Sequence, residues 1–192
     1  MFESSLLLKK KVIAATGSTF NPAMKSNAAT LSNNNRTANL GNSGGCAFGT
    51  TSRSSGKWYF ECVITQSEGS FTPLIGLVSQ NTTFNTPWIS AGELMWYGSG
   101  PQIIYGANIR FGYGSFTTGD TVAFAVDLDA RLLQFFRNNV AMTQLNLNTY
   151  LPTVTTFWFG AASPQSTQGT SIVTIPDTPK YFGSMPSGYG LW

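Results

Sequence analysis

The chain's hydrophobic pattern is organised around Gly112 to Val140, GYGSFTTGDTVAFAVDLDARLLQFFRNNV. A turn signal at Thr118-Gly119-Asp120 leads into an apolar run. In a strand Val122, Phe124 and Val126 share one face, and Ala123 and Ala125 the other. That run stops at Asp127-Leu128-Asp129. A second run, Leu132 to Phe136, ends at Asn138-Asn139. Two strand-forming runs with a short polar link predict an antiparallel hairpin. The small alanines predict a face packed close beneath another sheet.

Period-two patterning continues outside this hairpin. Gly56 to Ile64 predicts a strand with Trp58, Phe60, Cys62 and Ile64 on one face and Tyr59, Glu61 and Val63 on the other. Leu74 to Ser79 predicts another, and Gly76 inside it marks a bulge or a close backbone approach. Glu93 to Tyr97 and Ile103 to Tyr105 form a further pair, joined through Gly98 to Pro101. Ala29 to Leu31 and Thr37 to Leu40 read as short strands around the turn Ser32 to Asn35, where asparagines tolerate positive φ. Asn21-Pro22 reads as a turn, and Gly41 to Gly45 as a connecting loop. Phe157 to Gly160 and Ser171 to Ile175 complete the strands. The proline- and glycine-rich tail is expected to run extended and pack through Tyr181, Phe182 and Trp192. Many short strands at even spacing predict an all-β sandwich. Residues 20–192 form its body, and residues 1–19 an N-terminal arm in which Val12 to Ala15 can form a short strand. The arm reads equally as a tether and as a frayed terminus.

Composition sharpens this picture. Only 10% of the 192 residues are charged and 14% are aromatic, which suits a turn-rich β domain. The net charge of +3 comes from Lys9, Lys10 and Lys11; the remaining eight basic and eight acidic residues cancel. No basic stripe points to nucleic acid. No segment approaches the ~20 apolar residues of a membrane helix. The opening MFESSLLLKKK lacks the order of a secretory signal, so folding in a cytoplasm and free thiols at Cys46 and Cys62 are expected.

Candidate chemistry is sparse. The chain has no histidine, which excludes Ser-His-Asp and Cys-His catalysis. Asp127 and Asp129 could seed a glycosidase reading, yet at a hairpin junction aspartates commonly bind turn amides. Glu61 is expected to pair with Arg110, Arg131 or Arg137. Aromatics near loops are the stronger lead, because they anchor interfaces and stack on sugars. Phe84 and Trp88 lie in a long loop; Tyr97, Tyr105 and Tyr113 lie near glycine-rich turns. Trp88 reads equally as anchor and as core cap, while Tyr105 and Tyr113 lean toward core. Phe84, Trp88, Tyr97, Tyr105 and Lys9 to Lys11 are therefore the candidate partner-binding residues, with no cofactor or metal expected.

Four stretches together resemble the SPRY, or B30.2-like, domain: GKWYFECVI (Gly56 to Ile64), IGLVS (Ile75 to Ser79), TGDTVAFAVDLD (Thr118 to Asp129) and LLQFFRNN (Leu132 to Asn139). Asn139 stands where that family usually has glycine, and both residues suit the turn. The likeness is clear over residues 56–140 and weaker over Phe20 to Ala38 and Phe182 to Trp192. LSNNN and the FGSMPSGYGLW ending are similar to SPRY-like proteins encoded by bacteriophages. The resemblance implies a bent sandwich of two antiparallel sheets, no catalysis, and protein binding through variable loops at one rim. No binding residue carries over by motif. The phage-like segments imply a virion protein made in the host cytoplasm, whether head decoration, fibre or tail-attached. Its partners would be capsid or tail proteins and further copies of itself. The alternative is a receptor binder that meets a host surface glycan or protein through aromatic loops.

Overall fold

A computed structural model describes residues 17–41, 44–68, 72–82, 92–106, 108–164 and 169–192. Among these, two sheets pack face to face. One has seven strands in the order β1 (Phe20–Lys25), β4 (Cys46–Gly49), β14 (Phe157–Ala162), β6 (Leu74–Ser79), β7 (Leu94–Tyr97), β8 (Gln102–Tyr105) and β9 (Asn108–Phe111). The other runs β12 (Val140–Ala141), β11 (Leu132–Arg137), β10 (Thr121–Asp127), β5 (Lys57–Ser67), β15 (Ser171–Thr174), β3 (Thr37–Asn39) and β2 (Thr30–Ser32). Two short strands join its margins: β13 (Leu145–Asn146) pairs with β11, and β16 (Gly190–Leu191) runs parallel to β5. One helical turn, α1 (Leu147–Tyr150), follows β13.

The central hairpin forms as its pattern predicts. β10 and β11 pair antiparallel from Val122 opposite Arg137 to Asp127 opposite Leu132. Val122, Phe124 and Val126 face the sandwich core with Phe60, Cys62 and Ile64 of β5. Phe60 stacks on Phe159 of the facing sheet, with centroids 4.2 Å apart. Asn33, Asn34 and Asn35 take positive φ between β2 and β3. Asn138 and Asn139 do the same, at φ 49° and 70°, in the two-residue turn between β11 and β12. This explains how asparagine can stand in the place of the expected glycine at this turn. Gly76 resolves as a close approach: a Cβ there would sit 2.3 Å from the Leu94 carbonyl oxygen, while its register with β7 runs unbroken.

Several expectations are corrected. Ala123 and Ala125 do not lie under a second sheet. They pack with Tyr59 beneath the C-terminal segment, against Phe182, Met185, Tyr189 and Leu191. The methyl side chains leave room for a peptide segment crossing the outer sheet face. Asn21-Pro22 belongs to β1, an edge strand whose register with β4 shifts, the setting in which a strand tolerates proline. Cys46 to Gly49, to which the pattern assigns no element, forms β4, whose four residues are all buried. Its small residues let Phe159 lie against Gly49. The tail adds a parallel strand that alternation could not reveal, because β16 has two residues.

Candidate partner-binding flank and rim cleft

Phe84, Trp88 and Lys9 to Lys11 lie outside the described residues, as does Val12 to Ala15. Tyr97 ends β7 and is half-buried. It packs on an apolar cluster of Cys46, Phe48, Leu74, Val78, Met95, Ile104 and Ala162. By strand alternation this cluster lies on the face of the seven-stranded sheet turned away from the core. Tyr113 is core, 2% exposed, and its hydroxyl donates to the Thr143 carbonyl. Burial pushes its pKa up.

Tyr105 has a different setting. It ends β8, half-buried, and its ring meets Tyr150 edge-on, with centroids 4.8 Å apart and planes at 78°. Tyr150 closes α1. That turn is started by Asn146, whose side-chain oxygen accepts from the Asn148 amide at 2.9 Å, and is anchored by buried Leu147. Arg131 fastens the chain beyond it, donating to the carbonyls of Leu151 at 2.5 Å and Val154 at 2.6 Å and to the Asn148 side chain at 3.0 Å. Partial burial lowers the Arg131 pKa. Arg110 of β9 donates to the Tyr150 hydroxyl. Between the β8–β9 turn and the loop after α1 lies an open cleft of about 330 Å³. Asn81 and Gly92 contribute to its wall, so the cleft adjoins both described ends of the loop that carries Phe84 and Trp88.

β9 and β12 are edge strands on one flank of the sandwich. The Tyr113–Thr143 bond spans from just beyond the first to just beyond the second. Among the described residues the exposed large hydrophobics are Ile109 on β9, at 52%, and Val140 on β12, at 66%. Beside Val140 a second hollow of about 360 Å³ is lined by Gly114, Ser115, Arg137, Asn138 and Met142.

Six of the described carboxylates are tied into the fold. Glu61 is 2% exposed and pairs with none of the three arginines expected for it. Its oxygens accept from the Tyr59 hydroxyl at 2.7 Å, the Lys180 amide at 2.7 Å and the Tyr181 amide at 2.9 Å. Asp127 bridges to Lys57 at 3.0 Å and accepts from the Ala130 amide, while Asp129 accepts from the Gly56 amide at 3.1 Å. Both aspartates thus hold the hairpin junction, as the turn reading expects. Asp120 accepts from the Thr117 amide, the Asn138 side chain and Arg137. Glu68 accepts from Gln66 and from the Thr170 amide, and exposed Asp177 meets Arg36 at 3.0 Å. Cys46 and Cys62 are buried free thiols. Burial pushes Cys46 up to about 11 and raises Cys62 well above the usual thiol range, which disfavours the thiolate. Among the described residues no cluster of three or more His, Cys, Asp and Glu could hold a metal, and no helix is long and apolar enough to cross a membrane.

No established family profile and no curated protein sequence matches the chain. Solved structures do. The SPRY domain of human HERC1 superposes with a TM-score of 0.69 at 15% identity, covering 81% of this chain and 96% of that one. The PSpry domain of TRIM65 gives 0.58 at 12% identity, covering 83% of this chain and 92% of that one. Stonustoxin gives 0.63 at 12% identity; 83% of this chain matches 27% of the toxin chain. The two-sheet antiparallel sandwich is therefore the SPRY fold, as the motifs over residues 56–140 imply.

Proposed function

We propose that this protein is a non-enzymatic protein-binding module that serves as a structural component of a bacteriophage virion. The observation that carries the binding role is the β9–β12 flank, where the two exposed large apolar side chains among the described residues sit on edge strands. An edge strand offers unpaired backbone groups to an extended segment of a partner, and apolar neighbours add contact area. The occupant in this reading is a strand of a neighbouring capsid or tail protein, with several copies arranged about a symmetry axis. The SPRY sandwich supports a protein-binding role. The structural tying of six described carboxylates supports a role without catalysis. The phage-like LSNNN and FGSMPSGYGLW segments support the virion setting. Immunogold labelling of intact particles tests it: label on head or tail is expected, and unlabelled particles overturn it. An Ile109→Ser, Val140→Ser double variant that keeps its fold is expected to be lost from particles.

A second reading is favoured by the cleft at Tyr105. Here the module meets a host surface receptor through its rim.

A further inference from the structure

We infer that the cleft between the β8–β9 turn and the α1 loop binds a neutral glycan. The inference rests on the second reading above and names its ligand class.

The lining chemistry carries it. Two tyrosine rings, Tyr105 and Tyr150, stand at 78° to one another, so the corner they make offers two aromatic planes in different orientations. Around them are the amides of Asn81 and Asn108 and the hydroxyls of Thr149 and Thr153. Among the described lining residues no side chain carries a charge. A sugar ring has an apolar C–H face, which suits an aromatic plane, and a rim of hydroxyls that both donate and accept. Asparagine and threonine side chains can answer both ways. A charged peptide or an acidic sugar would find no counter-ion among the lining side chains, and Arg110 beside them is already engaged with the Tyr150 hydroxyl and ring. The volume of about 330 Å³ falls at the small end of ligand pockets and suits a compact ring.

The corner is also held in place. Arg110 donates to the Tyr150 hydroxyl, while Arg131 pins the loop carbonyls at Leu151 and Val154. Because the Tyr150 oxygen accepts from Arg110, its own proton remains for a ligand oxygen. A pre-set site loses less freedom on binding, which matters for a ligand whose contacts are individually weak.

The test is an array carrying neutral hexose and N-acetylhexosamine oligosaccharides, sialylated and uronate-bearing oligosaccharides, and extended peptides. It is probed with the full chain and with Tyr105→Ala and Asn108→Ala. Asn108 is exposed, so its truncation leaves the ring pair and the core intact. The expected result is wild-type binding to neutral spots, weakened about tenfold or more in each variant. Binding only to charged oligosaccharides overturns the inference. So does neutral-glycan binding that both variants retain in full. Peptide binding lost in Tyr105→Ala, with the glycan spots blank, overturns the ligand class but leaves the receptor reading standing. A wholly blank array overturns the glycan inference, and the receptor reading falls with it when the full chain also fails to bind intact host cells.

Discussion

Glu61→Gln probes how the tail is held to the sandwich. The carboxylate accepts two backbone amides from the tail, Lys180 and Tyr181, and one hydroxyl from Tyr59. Glutamine is the same size, but one of its two terminal atoms is a donor. At the Oε1 position that donor meets the Lys180 N–H; at the Oε2 position it meets the Tyr181 N–H. Either way one part-buried backbone donor loses its acceptor. A hydrogen bond to a charged group is worth about 1.5–3 kcal/mol, and stranding a part-buried donor adds to the loss. The expected cost is about 2–4 kcal/mol. It appears as a lower urea midpoint and as faster hydrogen exchange at the Lys180 and Tyr181 amides, by about thirtyfold or more. Tyr59→Phe is the control: it removes one donor and leaves both amides bonded, so exchange at 180 and 181 should stay near wild type. Wild-type stability in Glu61→Gln, with both amides still protected, would falsify this account of the clamp.

Three further predictions follow from the packing and the charges. Trp192 is 2% exposed, packs edge-on to Phe124 and Phe159 from opposite sheets, and donates to the Thr51 carbonyl at 2.8 Å. Trp192→Ala should cost about 3–5 kcal/mol by chemical denaturation; a loss under about 1 kcal/mol would show the ring to be dispensable. Gly76→Ala should unfold the protein or shift β7 away from β6, because its Cβ would lie 2.3 Å from the Leu94 oxygen; an unperturbed amide spectrum would refute this. Acid should weaken the hairpin. Burial pushes the Asp120 carboxyl up, but the Thr117 amide, Asn138 and Arg137 together outweigh it and hold it below the usual range. The Ala130 amide, followed against burial by Lys57, does the same for Asp127. Both groups bind protons more weakly in the folded chain. Their stabilisation is therefore complete above about pH 4 and is lost as pH falls through the depressed values. A urea midpoint unchanged between about pH 5 and pH 2 would contradict this.

The sandwich was legible in the sequence because its central strands are long and alternate cleanly. Trp58 to Ile64 and Val122 to Val126 name their own buried faces, and the asparagine turns name their own φ. What alternation could not show were elements made of small or few residues, such as Cys46 to Gly49 and Gly190 to Leu191. The role of Ala123 and Ala125 was half visible: small residues signal close packing but not what packs. Glu61 was misassigned because arginine is the usual partner of a buried carboxylate, whereas here backbone amides more than a hundred residues away supply the donors. At the candidate site Tyr105 was visible as an aromatic beside a glycine turn. Tyr150, its partner, sits in NLNTYLP, which carries no periodicity, and Ile109 and Val140 show their exposure only once the sheet edges are known.

The position of β5 has a kinetic consequence. This strand lies inside its sheet, yet its neighbours β10, β15 and β16 arise far along the chain, at Thr121–Asp127, Ser171–Thr174 and Gly190–Leu191. Its partners must be gathered across long stretches of chain before their contacts return anything, which places the chain among topologies that assemble in milliseconds to seconds. Until then an eleven-residue strand rich in aromatics stands with both edges open. During that interval the chain is most exposed to pairing with another copy of itself. Dilution or a chaperone at that stage should therefore raise the yield of folded protein without altering its final stability.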